Sequence, residues 1–214
     1  MTSTRRRNIE KIAFEGPAGT LEGALMVPPA DVRGLCVVCH PHPLYGGTMD
    51  NKVVYTLAAA AVAQGFAALR FNFRGVRGSA GRHDAGQGEV EDTLEAVAWL
   101  QAYSGARPLL LAGFSFGAQM ALRAAQTTQP CGLITVGTPG AGRLDAEDPP
   151  SPACPWLAIH GRDDDVVDYA QTLSWLQTTH PHARLETIAG TGHFFHGHLG
   201  ELRARVEPFI ASLG

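Results

Sequence analysis

Gly113-Phe114-Ser115-Phe116-Gly117 sets a serine between two glycines, after the apolar run Leu109–Ala112 and before an Ala-rich stretch with helical spacing. G-x-S-x-G in that context is a sharp strand-to-helix turn, with its central residue in a strained backbone and its side chain at the apex. The flanking residues must be small, because a side chain there would strike the adjoining strand or helix. The first amides of the following helix converge on one point and can bind developing negative charge. A serine hydroxyl is a weak nucleophile at neutral pH, so it needs a base, and the base needs an orienting group. Carboxylates stand at Asp163, Asp164, Asp165 and Asp168, just past an apolar run, and histidines stand at His193, His196 and His198 after a Gly-rich turn. A Gly-Ser turn could also be no more than a helix cap. The acids and histidines downstream make nucleophilic catalysis the stronger reading.

The elements that must position these groups follow from periodicity. Short apolar or β-branched runs predict strands at 9–14, 21–27, 35–39, 66–71, 108–112, 132–136, 156–159 and 184–188. Helical spacing predicts helices at 51–64, 89–103, 119–129, 169–180 and 199–213. The first two strands adjoin through turn residues and suggest an antiparallel edge. From Leu35 onward strands and helices alternate, which implies an α/β fold: a mostly parallel central sheet of about seven or eight strands with helices on both faces. The serine, the acids and the histidines all fall just past strand C-termini, and in a parallel sheet those ends share the ligand-binding edge.

The 214 residues are expected to form a single domain, residues 1–214, with 1–8 a flexible N-terminal tail. With 17 Lys plus Arg against 20 Asp plus Glu, the net charge of -3 offers no footprint for nucleic acid or an anionic membrane. The partner should be a small molecule. Arg5-Arg6-Arg7 is followed by no apolar h-region, and no apolar stretch reaches the ~18 residues of a membrane span. A cytoplasmic protein is the expectation, and the oligomeric state is open. Cys36 and Cys39 form a C-x-x-C, but strand alternation turns them to opposite faces, as two buried thiols. Three imidazoles at His193, His196 and His198 could suggest zinc, yet a loop-to-helix transition through Gly197 gives them no reason to converge. Arg74 and Arg77 lie in a Gly-rich segment that has no P-loop or dinucleotide pattern, and they are expected to pair with Asp84 or Glu89.

The segments HPHPLYGGTMDNKVV (40–54), RFNFRGVRGSAG (70–81), GFSFG (113–117), HGRDDDVV (160–167) and GTGHFFHG (190–197) together resemble the α/β-hydrolase superfamily. The likeness is greatest to small lidless serine hydrolases and esterases of the dienelactone hydrolase-like branch, and it runs from about Ile9 to the C-terminus. It implies the superfamily fold and a Ser…Asp…His triad in that chain order. The superfamily's G-x-x-D pattern selects Asp164 from Gly161, with Asp165 next. Its placement of the base after the last strand selects His193. Oxyanion donors would be the backbone N–H of Phe116 and, in the loop after the first parallel strand, that of His42, with Leu44 the alternative. His40 is expected to serve the turn structurally.

About twenty residues between the strands ending near Val136 and starting near Trp156 are too short and too rich in Pro and Gly for a helical cap, so an open site is expected. Leu44, Tyr45, Phe114 and Phe194 are the candidate substrate-binding side chains, with Phe116 beside them. The activity implied is carboxylesterase-like hydrolysis of short acyl esters, with no cofactor and no metal. Thioesterase, lactonase or peptidase chemistry on the same residues, or a non-catalytic binding scaffold, are the alternatives.

Overall fold

The computed structural model describes residues 9–140 and 148–213, so the expected tail at 1–8 lies outside the described residues. The chain opens with β1 (Ile9–Gly16) and β2 (Gly19–Met26), an antiparallel hairpin closed by a two-residue turn with Gly16 opposite Gly19. β3 (Gly34–Cys39), β4 (Phe66–Phe71), β5 (Leu109–Phe114), β6 (Gly132–Val136), β7 (Trp156–Gly161) and β8 (Arg184–Ile188) then pair in parallel. The eight-stranded order is β1-β2-β4-β3-β5-β6-β7-β8, with β2 antiparallel to β4. This is the α/β architecture expected from the alternation of runs.

Among the described residues, five α-helices cover the sheet: α1 (Lys52–Ala63), α2 (Gln87–Ser104), α3 (Phe116–Thr128), α4 (Tyr169–Thr179) and α5 (Leu199–Ala211). Strand pleating divides the core. Leu35, Val37 and Cys39 face α2, α3 and α4, whereas Cys36 and Val38 face α1 and α5. The two thiols are indeed buried on opposite faces. Among the described residues, no helix is long and apolar enough to cross a membrane.

Two boundaries differ from the sequence reading for reasons that bear on the site. α3 starts at Phe116 and not at residue 119, because the turn between β5 and α3 consists of Ser115 alone. α2 starts at Gln87 and not at Glu89, because the Glu89 carboxylate folds back to accept the amides of Gly86 at 2.8 Å and Asp84 at 2.9 Å. Of the expected partners of Arg74, Asp84 pairs with it at the limit of contact and Glu89 does not, while the closest partner is another acid. Its guanidinium clasps Asp92, which is fully buried, with Nη2 2.8 Å from Oδ1, and it reaches Glu91 at 3.3 Å and Asp84 at only 3.9 Å. Glu89 is occupied by the loop amides, and Arg77 is exposed with no ion pair among the described residues.

Candidate active site

Ser115 sits between the end of β5 and the start of α3 with φ 56° and ψ −121°, a conformation that L-residues rarely adopt. The glycines on either side make the turn possible. A Cβ on Gly113 would lie 2.2 Å from the Gly117 oxygen, and one on Gly117 would lie 2.4 Å from the oxygens of Cys39 and His40. The loop after β8 brings in His193, whose Nε2 lies 3.0 Å from Ser115 Oγ. On the other side of the ring, His193 Nδ1 lies 2.8 Å from Asp164 Oδ2, in the turn after β7. A carboxylate only accepts, so Nδ1 carries the proton and Nε2 is left as the acceptor for the serine hydroxyl. Ser115 and His193 are nearly buried, and the Asp164 side chain is fully so.

Burial alone would raise the Asp164 pKa. Donors overcome it: the imidazoles of His160 and His193 and the amide of Val167 hold the carboxyl well below its usual range. Oδ1 accepts the amides of Val166 at 2.9 Å and Val167 at 2.7 Å. The neighbouring Asp168 caps α4 through the Gln171 amide, at 2.7 Å. Asp163 and Asp165 are exposed and line a hollow beside His193 with Phe194 and His196. His198 approaches Glu201 at 3.5 Å, and no cluster of three metal-ligating side chains occurs among the described residues.

The loop after β3 forms the opposite wall. His40 is fully buried, its Nδ1 2.6 Å from the Pro41 oxygen and its Nε2 accepting the Phe73 amide at 3.1 Å. Burial pushes its pKa down to about 4, so the ring is neutral. Pro43–Tyr45 forms a 3-10 turn, in which the Leu44 amide donates to His42 Nδ1 at 3.2 Å. The His42 amide has no such acceptor among the described residues, and neither has that of Phe116, the first residue of α3. Gly47 permits the fold of this loop, since a Cβ there would lie 2.0 Å from the Pro41 oxygen.

Leu44 and Tyr45 project from this wall, 70% and 86% exposed, and Phe194 projects from the His193 loop, 47% exposed. Phe114 differs from the expectation. It is fully buried beneath the His193 ring, at 4.9 Å, and belongs to the core. Phe116 is likewise nearly buried. No helix lies between β6 and β7 among the described residues, and 141–147 of the expected lidless segment fall outside them.

Three supporting residues escaped the sequence reading. Asn72 Oδ1 accepts the Met49 amide at 2.8 Å and so holds the far end of the β3 loop. Its signal was a second polar residue, after Arg70, at the end of the otherwise apolar run before it. Gly137, at φ 55°, leaves room for His193, whose Cε1 would lie 3.1 Å from a Cβ there. His160 brings a second imidazole to Asp164, 3.2 Å from Oδ2. It sits four residues before that acid within a quoted motif.

A family model described as X-Pro dipeptidyl-peptidase (S15 family) matches residues 20–138. An uncharacterised protein of Rickettsia prowazekii is 32% identical over 213 residues, covering 95% of this chain and 89% of its own. Among solved structures, an alpha-beta serine hydrolase homologue from Coxiella burnetii has a TM-score of 0.89 at 38% identity, covering 97% of this chain and 99% of that one. A Xanthomonas campestris protein described as an a/b serine hydrolase without lid has a TM-score of 0.88 at 38% identity, covering 97% and 95%.

Proposed function

The chain belongs to the α/β-hydrolase superfamily, in the family described as X-Pro dipeptidyl-peptidase (S15 family), and from that premise we propose that it is a serine hydrolase cleaving carboxylic esters of short acyl chains. The observation that carries this reading is the 3.0 Å approach of His193 Nε2 to the hydroxyl of a serine held at φ 56°. Ser115 Oγ attacks the ester carbonyl as His193 takes its proton, and Asp164 stabilises the imidazolium without itself being protonated. The oxyanion is received by the amides of Phe116 and His42. Leu44 is the weaker candidate, because its amide already donates to the His42 ring. His193 then protonates the leaving alcohol and activates water to release the acyl group.

An open mouth edged by Leu44, Tyr45 and Phe194 suits a small ester bound in the cytoplasm, without nucleic acid or membrane as partner. The second reading is peptidase activity, favoured by the name of the matching family model. A fluorophosphonate with intact-mass detection tests the nucleophile: one adduct on wild type, none on Ser115→Ala and loss in His193→Ala. No adduct on folded wild type would refute the reading. A short-chain p-nitrophenyl ester against a Xaa-Pro p-nitroanilide then separates esterase from peptidase.

A further inference from the structure

His160 has no part in that reaction cycle, yet it is placed against its acid. It lies one residue before the end of β7, 1% exposed, with Nε2 3.0 Å from the Val167 oxygen and 3.2 Å from Asp164 Oδ2. A backbone carbonyl only accepts, so Nε2 carries a proton whatever the charge of the ring. That one N–H is shared between the two oxygens as a three-centre bond. Val167 also donates its own amide to Asp164 Oδ1, at 2.7 Å. The imidazole therefore ties together both ends of the 164–167 turn, the carboxylate at its start and the carbonyl at its end. Oδ2 is the oxygen that His193 Nδ1–H uses, and with the Val166 and Val167 amides on Oδ1 all four acceptor sites of the carboxylate are filled.

We propose that His160 is a positioning residue for the reaction: its Nε2–H fixes Asp164 Oδ2 opposite His193 Nδ1 and, by occupying that oxygen, keeps the proton on His193. This rests on the hydrolase reading above. A residue that only filled space would need the ring alone, packed edge-on against Tyr169 at 5.8 Å. The other polar and titratable groups around it are accounted for. Tyr169 of α4 hydrogen-bonds Thr187 of β8, Arg162 stacks on Tyr169, and Asp163 and Asp165 are exposed.

His160→Phe keeps a ring and removes the donor, while His160→Gln restores an N–H. The expected result for His160→Phe is a fall in kcat on the order of tenfold, with KM unchanged, as loss of one charge-assisted hydrogen bond implies. The acid limb of kcat/KM should also move to higher pH, because a carboxylate that has lost a donor holds the imidazolium more firmly. His160→Gln should recover most of the rate. A folded His160→Phe enzyme with wild-type kcat and an unmoved acid limb overturns the proposal. Should that variant not fold, nitrogen NMR of histidine-labelled wild type reads the tautomer directly. Protonated Nε2 on His160 supports the proposal, and a ring protonated on Nδ1 alone overturns it. The fluorophosphonate keeps the two readings apart: no adduct on wild type refutes the hydrolase assignment, whereas an adduct with an indifferent His160→Phe refutes only the role of His160.

Discussion

Gly117→Ala is the sharpest test of how the site is assembled. Gly117 is the second residue of α3, and a methyl on it would lie 2.4 Å from the carbonyl oxygens of Cys39 and His40. Ordinary contact begins at 3.4 Å, so α3 and the β3 loop must separate by about 1 Å. The obstructing atoms are backbone, and no side chain can rotate away to relieve the clash. Phe116 and His42, which offer the two proposed oxyanion amides, stand on opposite sides of that gap. Oxyanion donors work at ~2.7–3.1 Å, and a displacement of about 1 Å can cost roughly 100-fold in rate. Overpacking should also cost about 1–3 kcal/mol of stability. The assay pairs steady-state kinetics on a short-chain p-nitrophenyl ester with urea unfolding. kcat should fall with KM little changed. Gly200→Ala in α5 is the control, since a Cβ there meets nothing within 4 Å. Gly117→Ala retaining kcat within about threefold and an unchanged midpoint would refute both the contact and the donor geometry.

Two further outcomes are expected. Ser115→Gly should abolish fluorophosphonate labelling yet be more stable to thermal unfolding than Ser115→Ala, by about 1 kcal/mol in unfolding free energy, because glycine relieves the φ of 56°. The reverse order would show that no strain is stored there. His40 is held neutral with a pKa of about 4, whereas in the unfolded chain it protonates near its ordinary 6.5. The unfolded state therefore binds more protons in that window, and stability should fall by up to ~3 kcal/mol as pH drops from about 6.5 towards 4. Urea midpoints across that range, with NMR titration of the folded protein, check it, and a His40 resonance titrating near 6.5 would contradict the burial argument.

The legible parts of this fold are those where one interaction dominates. β4 and β6 have the bounds read from their runs, because buried parallel strands carry little other signal, and β8, a half-exposed edge strand, matches its expected bounds as well. The start of α3 was not legible. Gly117 reads as a helix breaker, and its need to sit under the Cys39 and His40 carbonyls is a contact across some eighty residues of chain. Asp84 was read as a partner of Arg74, but the closer one, Asp92, was missed for a similar reason. Glu89 and Asp92 share one face of α2, and only the fold reveals that Glu89 turns back to the loop amides and leaves Asp92 for the guanidinium. Ser115, His193 and Asp164 were picked out by motif order, and the structure brings them within hydrogen-bonding distance. The loop residues beside them, His42, Leu44 and Tyr45, needed the 3-10 turn before their amides could be told apart.

The two thiols sealed in β3 give the molecule an internal clock for its own opening. Burial raises the Cys36 thiol far above its ordinary range and holds Cys39 at about 12, so neither offers a thiolate to an alkylating reagent while the sheet is intact. β3 lies between β4 and β5, away from both edges, so fraying of β1 or β8 does not uncover it. Cys131 and Cys154 are only partly covered, so their alkylation should not wait on opening of the sheet. A mass-resolved alkylation time course therefore separates breathing at the surface from loss of the central strand within one sample, with no probe added to the chain.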